Sequence, residues 1–265
     1  MPTYATGAVR SPVDHRDWLA PRVATARAAV LPQQVMPVVL PPVLNQGAEG
    51  TCVGHAVASL LTWAALRAGF KRAISPRDAY EITRLMMFGR PAEGADVRTA
   101  MHVAKRLGVC EERFRPYVAG SPCDPLEGAN DSRPDNKVSA FARVDSTNTR
   151  AMREALCIHS PLVIAAPVRD GFVKPDGYHT AHFSGEDAGG LHAMLALGYS
   201  DARQAYWVQN SWGEGYADKG RVWVPYTYPI EEAWSIVPNV AKDRPAEVPF
   251  VPWWERASFM LPWWS

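Results

Sequence analysis

Four side chains of this sequence are suited to hydrolysis by a thiol, and they lie in two distant segments. Cys52 follows Gln46 by six residues, and an apolar stretch with helical spacing begins directly after it. The start of a helix favours thiolate over thiol, because its dipole and free N–H groups stabilise negative charge. His192 precedes a short apolar run, and Asn210 lies eighteen residues further on. These residues could supply a nucleophile (Cys52), a base (His192), a group orienting that base (Asn210) and an oxyanion donor (Gln46), which predicts a cysteine hydrolase.

Plainer interpretations compete with these assignments. Cys52 could be a buried structural thiol, Asn210 a turn residue, and Trp212 part of the core. His179 and His182 have the spacing of a metal-binding pair, but no third ligand is evident, so a loop pair is the better interpretation. The sequence therefore predicts no metal and no cofactor.

Composition narrows the class of protein. The chain has 265 residues, 47% of them hydrophobic and 21% charged, which is typical of a globular protein with an ample core. A net charge of +1 indicates no electrostatic preference for nucleic acid or anionic membranes. No apolar run is long enough for a signal peptide or a membrane span. We expect a cytoplasmic protein, or one exported by a signal-independent route.

Besides Cys52 there are three cysteines, so a full disulfide framework is not expected; a Cys110–Cys123 bond is the alternative that remains.

The sequence around these residues predicts helices in the first half of the chain and strands in the second half. Apolar periodicity, caps and turn residues predict helices at about 52–68, 75–89, 96–107 and 147–158, and strands at 162–166, 193–198, 205–209 and 220–224. A Pro- and Gly-rich segment, 115–137, predicts a loop that links two lobes. The pattern indicates an α+β fold with the cleft between the lobes. The expected organisation is an extended N-terminal arm (1–42), a helical lobe (43–135), a β-rich lobe (136–240) and a C-terminal tail (241–265), with 43–240 forming one domain.

The order of these motifs resembles that of the papain-like cysteine peptidases. The resemblance covers about residues 37–225, and its most specific part is the run Val-Gln-Asn-Ser-Trp-Gly-Glu-Gly-Tyr at 208–216. Further matching segments are Pro-Val-Leu-Asn-Gln-Gly at 42–47, Ser-Pro-Arg-Asp-Ala-Tyr at 75–80, the stretch from Gly94 to Ala104, and Gly108-Val109 followed by Tyr117.

The resemblance implies a two-lobed fold and a set of roles. Cys52, His192, Asn210 and Gln46 would be catalytic, and Trp212 would shield the Asn210–His192 hydrogen bond from water. Substrate-binding positions carried over in the same way are Gly50, Gly94, Ala95, Leu191 and Trp212. The implied activity is that of an endopeptidase acting on peptide or protein substrates through a thiolate–imidazolium pair and a thioester. A deamidase, transpeptidase or isopeptidase would use the same chemistry, and a non-catalytic peptide-binding protein is a further alternative.

Three departures from the family pattern stand out. Glu49 replaces the first Cys of the Cys-Gly-[Ser/Ala]-Cys signature, so that cysteine's disulfide cannot form, as in bacterial members of the family. Val53 replaces the aromatic residue that follows the nucleophile. No long pro-segment with an inhibitory helix is evident, so we expect the activity to be restrained by a partner, a compartment, scarcity of substrate, or the arm and tail.

The tail carries Trp-Trp pairs at 253–254 and 263–264, which predict either a latch on the body or a docking site for a protein partner.

Overall fold

The computed structural model has an α+β architecture and describes residues 5–15, 17, 19, 30–87, 93–158, 161–177 and 179–239. Its helices are α1 (Cys52–Arg67), α2 (Pro76–Met86), α3 (Val97–Arg106), α4 (Ala129–Ser132), α5 (Thr149–Ile158) and α6 (Asp170–Val173), with 3₁₀ turns at Glu112–Phe114 and Arg133–Asn136. Its strands are β1 (Ala8–Val9), β2 (Gln34–Val35), β3 (Ala95–Asp96), β4 (Val138–Val144), β5 (Leu162–Arg169), β6 (Asp187–Ser200), β7 (Ala205–Gln209), β8 (Arg221–Pro225) and β9 (Glu232–Pro238).

Helix α1 is the central helix, and its first twelve residues are all buried. It packs against α2 so closely that a β-carbon at Gly54 would lie 2.5 Å from the carbonyl oxygen of Pro76. Glycine therefore permits this contact. On another side α1 rests on the sheet, where Val163 and Ala165 of β5 share its hydrophobic cluster. The helix that begins at Cys52 is thus held on several sides, which fixes the position of its first residue.

Helices α2 and α3 begin where the capping residues predict. The Ser75 hydroxyl accepts a hydrogen bond from the Asp78 N–H at 3.0 Å, with Pro76 at the first helical position. The Asp96 carboxylate accepts one from the Thr99 N–H at 2.8 Å. Both caps satisfy donors that would otherwise lack partners within the helix.

The sheet places its longest strand, β6, beside α1. The main path of the sheet is β3-β1-β6-β5-β9-β4, and β2 and β7 also pair with β6, with β8 beyond β7. Side chains alternate along β5: Val163 and Ala165 face α1, whereas Leu162, Ile164 and Ala166 join the cluster that contains α5. Both faces of β5 are therefore buried, which explains its continuous apolar run.

Most of the predicted elements are present, with corrections at their ends. Helix α2 ends at Met86, and residue 89, where we expected it to end, lies outside the described residues. Helix α5 begins at Thr149 instead of 147, because the Asn148 side chain accepts a hydrogen bond from the Ala151 N–H at 3.1 Å. Strand β6 begins six residues before Ala193, so His192 lies inside a strand and not at its start.

Other features were not predicted. The segment 115–137 was expected to be a loop but contains α4 and a 3₁₀ turn, and β4 and β9 were missed although they pair along their length. All four cysteines are free, including Cys110 and Cys123. In the part of the chain that the structure describes, no helix is long and apolar enough to cross a membrane. The tail 241–265 lies outside the described residues, so its two proposed roles stay predictions.

A buried carboxylate joins α2 to the segment that leads into the sheet. The Asp78 side chain is fully buried, and it accepts hydrogen bonds from Arg133 at 2.7 Å and from the Cys110 N–H at 3.0 Å. Arg115 lies 3.3 Å away as a second cation. Burial raises the pKa of Asp78, but the hydrogen bonds and the charge of Arg133 outweigh it, so the pKa lies below its usual value.

Replacing Asp78 with Asn should therefore destabilise the fold. The substitution leaves two partly buried arginines without their buried counter-charge, and we expect a loss of about 3–5 kcal/mol in the free energy of unfolding at neutral pH. A lowered pKa stabilises the fold above the unfolded value of about 3.9 and ceases to do so as the pH falls through the folded value. Urea unfolding at neutral and acidic pH measures both effects. Asp124→Asn, in an exposed loop, is the matched control, and equal losses for the two variants would contradict this account.

Candidate active site

Cys52 is the first residue of α1 and is completely buried. Its sulfur accepts a hydrogen bond from the Ala193 N–H of β6 at 3.4 Å, a contact that spans 141 residues of sequence. Burial raises the pKa of the Cys52 thiol to about 11, while the N–H groups of Ala193, Val53 and Gly7 lower it by less. The helix start is therefore present as predicted, but in this state the thiol is the favoured form.

His192 is adjacent to Ala193 on β6, and its orientation is fixed by Asn210. His192 Nε2 lies 2.7 Å from Asn210 Oδ1, and the same oxygen accepts a hydrogen bond from the Ser211 N–H at 2.7 Å. Because that oxygen already accepts from an amide, it acts as the acceptor for the imidazole too, so Nε2 carries the proton. Nδ1 has no hydrogen-bond partner among the described residues, and it is left as the nitrogen able to take a proton.

Trp212 covers this pair. Its ring stacks on the imidazole of His192 with centroids 4.7 Å apart and planes 26° from parallel, and only 5% of Trp212 is exposed. Water therefore has little access to the His192–Asn210 hydrogen bond, which agrees with the shielding role implied by the resemblance.

Gln46 has an amide that is held on two sides. Its Oε1 accepts a hydrogen bond from the Ser211 hydroxyl at 2.6 Å, and its Nε2 donates to the Glu49 carbonyl at 2.8 Å. A second hydrogen bond from the same nitrogen reaches the Ala5 carbonyl at 3.1 Å. Gln46 thus presents a fixed N–H donor, as an oxyanion site requires.

The segment 5–9, which we call the cleft segment, lies across this site. The Gly7 N–H donates to the Leu191 carbonyl at 3.3 Å, and the Ala95 N–H donates to the Gly7 carbonyl at 2.9 Å. Strand β1, at the end of the cleft segment, then pairs in parallel with β3 and antiparallel with β6. A strand of the chain itself therefore fills the groove between the two halves.

The cleft segment contacts every position that the resemblance assigned to substrate binding. The indole N–H of Trp212 donates to the Ala5 carbonyl at 3.2 Å. A β-carbon on Gly7 would lie 2.1 Å from the carbonyl oxygen of Gly50, and one on Gly94 would lie 2.5 Å from the carbonyl oxygen of Gly7. The structure thus brings together the five positions around one extended backbone, namely Gly50, Gly94, Ala95, Leu191 and Trp212.

A charged cluster holds the chain just beyond the cleft segment. Ser11 donates through its N–H and its hydroxyl to the buried carboxylate of Glu232, at 2.7 and 2.6 Å. Arg98 pairs with Asp17 at 2.7 Å and with Asp14 at 2.7 Å. We call this group the anchor. It ties the cleft segment both to β9 and to α3.

Burial determines the charge states of Cys52 and His192. His192 is completely buried, and burial lowers its pKa to about 4, with the Asn210 hydrogen bond opposing that change. Together with the raised pKa of Cys52, this favours a neutral thiol and a neutral imidazole. We predicted a thiolate–imidazolium pair as the resting state; the covered site differs because the cleft segment excludes the water that would solvate two charges.

Several contributors were not predicted from the sequence. Ser211 orients the amides of Gln46 and Asn210, and its position inside the Asn-Ser-Trp-Gly run was the available signal. The cleft segment belongs to the arm that we expected to be extended, but its place in the cleft gave no signal, because it is short and has no periodicity. Of the histidine pair, His182 lies 3.1 Å from Asp176 on the surface. No group of three metal-ligating side chains occurs among the described residues.

Comparison with known proteins agrees with this geometry. The model of the papain family cysteine proteases matches residues 33–230. A peptidase C1-like protein of Acanthamoeba polyphaga mimivirus is 25% identical over 216 residues, covering 76% of this chain and 67% of its own. Mouse pro-cathepsin H is 25% identical over 191 residues, and this chain spans 55% of its length.

A solved structure shows the same fold over nearly the whole chain. Xylellain, a cysteine protease from Xylella fastidiosa, superposes with a TM-score of 0.78 at 24% identity, covering 89% of this chain and 97% of its own. The Tenebrio molitor procathepsin L2 structure superposes with a TM-score of 0.71 at 16% identity, covering 89% of this chain and 79% of that chain. The family match extends over most of the chain and includes all four residues of the site, so the chain belongs to the papain family of cysteine proteases.

Proposed function

We propose that the protein is a cysteine endopeptidase that binds its substrate as an extended strand across the cleft. The cleft segment carries this proposal, since it is a peptide already bound in that manner, by backbone hydrogen bonds to Leu191 and Ala95. It passes Cys52 and continues on both sides, with Ala5 near Gln46 and β1 beside β3. A groove that holds extended backbone on both sides of Cys52 suits cleavage within a chain.

The proposed reaction uses only the residues of the site. His192 takes the thiol proton at Nδ1, and the thiolate attacks the peptide carbonyl carbon. The carbonyl oxygen becomes an oxyanion held by the Gln46 side chain and the Cys52 N–H, one such donor being worth about 10²–10³ in rate. His192 then gives its proton to the leaving amine, and a thioester remains. Water, deprotonated by His192, attacks the thioester, and the thiol leaves with the proton restored.

The cleft segment would not be cleaved in this position. By the resemblance, Gly94 and Ala95 line the side of the cleft that takes the residues preceding the scissile bond. The cleft segment has its later residues there, since Ala8 pairs with Ala95, and its earlier residue Ala5 lies near Gln46. It therefore runs opposite to the direction expected for a substrate. We propose that it holds the enzyme covered until it is displaced.

Displacing the cleft segment would also favour the charged pair, a Cys52 thiolate and a His192 imidazolium. Water returning to Cys52 and His192 removes the burial that raises the pKa of the first and lowers that of the second. The helix dipole and the Ala193 N–H then favour the thiolate. Access and nucleophile activation would thus depend on the same movement.

The first test is identification of the nucleophile. Cys52→Ala should abolish peptide hydrolysis and labelling by an epoxide-type thiol inactivator while leaving the fold intact, since the change removes one buried atom. Mass spectrometry of the labelled wild-type protein locates the modified residue. Cys123→Ala, which removes a partly exposed thiol outside the cleft, is the control. Hydrolysis retained by Cys52→Ala would refute the assignment, and a protein that stays unlabelled and inactive after the cleft segment is released would favour a non-catalytic peptide-binding protein.

A second test releases the cleft segment. Any side chain at position 7 would collide with the carbonyl oxygen of Gly50, so Gly7→Val should open the cleft. We expect peptide hydrolysis to rise by at least about tenfold, because each 1.4 kcal/mol lost by the covered state raises the open fraction tenfold. Gly177→Val is the matched control, since a β-carbon there meets no atom within 4 Å. Unchanged or lower hydrolysis in Gly7→Val would contradict the proposed cover.

A third test follows the protonation of Cys52. Burial raises its pKa to about 11, so alkylation of the wild-type thiol by iodoacetamide should require strongly alkaline pH. In Gly7→Val the thiol regains water, and the midpoint of the rate–pH curve should move toward lower pH. Rates are measured across the pH range with mass spectrometry of the Cys52 peptide. Superimposable curves for the two proteins would mean that the cleft segment does not control the thiol.

A further inference from the structure

The turn before the nucleophile carries a charged residue where a cysteine occurs in the family signature. Glu49 lies in this turn, residues 45–51, which we call the oxyanion turn because it holds Gln46. The Glu49 carboxylate accepts a hydrogen bond from Arg77 of α2 at 2.7 Å, and the Arg77 side chain is only 2% exposed. Burial alone would raise the pKa of Glu49, but hydrogen bonds from Tyr117 and Arg77 lower it, so the carboxylate stays charged. The turn is thus tied to α2 by a largely buried ion pair.

Tyr117 reaches three points of the same turn with one hydroxyl. The single phenolic proton is shared between the carbonyl of Gln46 at 2.8 Å and the carboxylate of Glu49 at 2.6 Å, and the phenol oxygen lies 2.9 Å from the hydroxyl of Thr51. These residues are at the start, middle and end of the turn. Thr51 is the N-cap of α1 but makes no side-chain cap hydrogen bond, because its hydroxyl faces Tyr117 instead. The N-terminal amides of α1 are therefore left to the cleft.

The ring of Tyr117 is itself held in place. Its edge meets the imidazole of His55 with centroids 4.4 Å apart, and the guanidinium of Arg77 lies 4.6 Å from its centroid. The Tyr117 N–H donates to the carboxylate of Glu112 at 2.7 Å. The hydroxyl is thus fixed by contacts that do not involve the oxyanion turn, as a group that positions another must be.

We propose that Glu49, Arg77 and Tyr117 are positioning residues that set the geometry of the oxyanion turn, in place of the disulfide that the family signature implies at position 49. They act on Gln46 from its backbone side, while Ser211 holds its side-chain amide. The proposal rests on the cysteine peptidase function, since an oxyanion must form for the turn to matter. The oxyanion exists in the transition state of acyl transfer and not in simple alkylation of the thiol.

Because alkylation needs no oxyanion, a loss of kcat without a loss of alkylation rate distinguishes a positioning role from a merely structural one. Tyr117→Phe keeps the ring and its contacts with His55 and Arg77 but removes the hydroxyl. In the full chain carrying Gly7→Val, we expect kcat for a peptide amide to fall about 10- to 100-fold with KM changed by less than about twofold. The rate of Cys52 alkylation by iodoacetamide and the melting temperature should stay near those of the parent.

Matched variants separate this effect from general damage. Tyr226→Phe removes a phenol that also donates to a carboxylate, that of Asp201 at 2.8 Å, away from the cleft, and it should leave kcat unchanged. Glu49→Gln, which removes the charge and keeps the shape, should lower kcat in the same way as Tyr117→Phe. The Glu49→Gln variant is used for the same measurements if Tyr117→Phe fails to fold.

A double-mutant cycle identifies the residue through which Tyr117 acts. In a Gln46→Ala background, Tyr117→Phe should have little further effect on kcat, because the donor that it positions is gone. Equal effects of Tyr117→Phe in both backgrounds would overturn the proposal, as would parallel losses in alkylation rate and melting temperature. A parent that hydrolyses peptides with no response to Tyr117→Phe would refute this inference alone. A parent without hydrolysis would refute the proposed function, and the inference with it.

Discussion

The contact between the first residue of α1 and the middle of β6 is the constraint on which the site depends. It brings the Cys52 sulfur to the Ala193 N–H and places His192 next to it in sequence. A helix start and a strand interior are both rigid, because each is packed on several sides. The candidate nucleophile and base are therefore carried by well-buried elements, one from each half of the chain. Loops contribute the residues that bind oxygen and orient the base, and these loops in turn are held by side chains such as Ser211.

The same buried contact creates an electrostatic conflict. A thiolate and an imidazolium need either water or each other, and the covered site excludes water from both Cys52 and His192. Desolvation then outweighs the amides around the sulfur, and the neutral forms are favoured. The candidate catalytic residues lie on neighbouring elements, while their favoured charge states are the neutral ones. In this protein, geometry and reactivity are separate properties of the site, and the position of residues 5–9 connects them.

The parts of the fold that the sequence predicted are those with local signals. Capped, periodic helices such as α2 and α3 begin at the expected residues, and the apolar runs of β5 and β7 were recognised as strands. The order of the motifs around Cys52 and Asn210 was sufficient to identify the catalytic groups as candidates. Strands β4 and β9 were missed because they depend on pairing with each other, and short windows of sequence do not contain that information.

The contacts that govern the site from a distance were also not predictable. The cleft segment has no periodicity, and its place in the groove comes from backbone hydrogen bonds and a close approach at Gly7, neither of which produces a recognisable sequence pattern. Tyr117 was noted only as part of a segment that matches the family, since its three hydroxyl contacts arise from the path of the chain in three dimensions. Glu49 was recognised as a departure from the family pattern, but its partner Arg77 is 28 residues away and was seen only as part of a helix start.

A segment attached to its own cleft acts as an intramolecular competitor. Its effective concentration is on the order of millimolar when the connection is short, so even weak binding keeps the groove occupied. The cleft segment has small side chains (Ala5, Thr6, Gly7 and Ala8) and is held mainly through its backbone, as suits a weak and displaceable occupant. The apparent Kd of any free peptide is its intrinsic Kd divided by the fraction of molecules that are open. Apparent KM values and inhibitor potencies of the whole chain would then report the occupancy of the groove as much as its fit to the ligand.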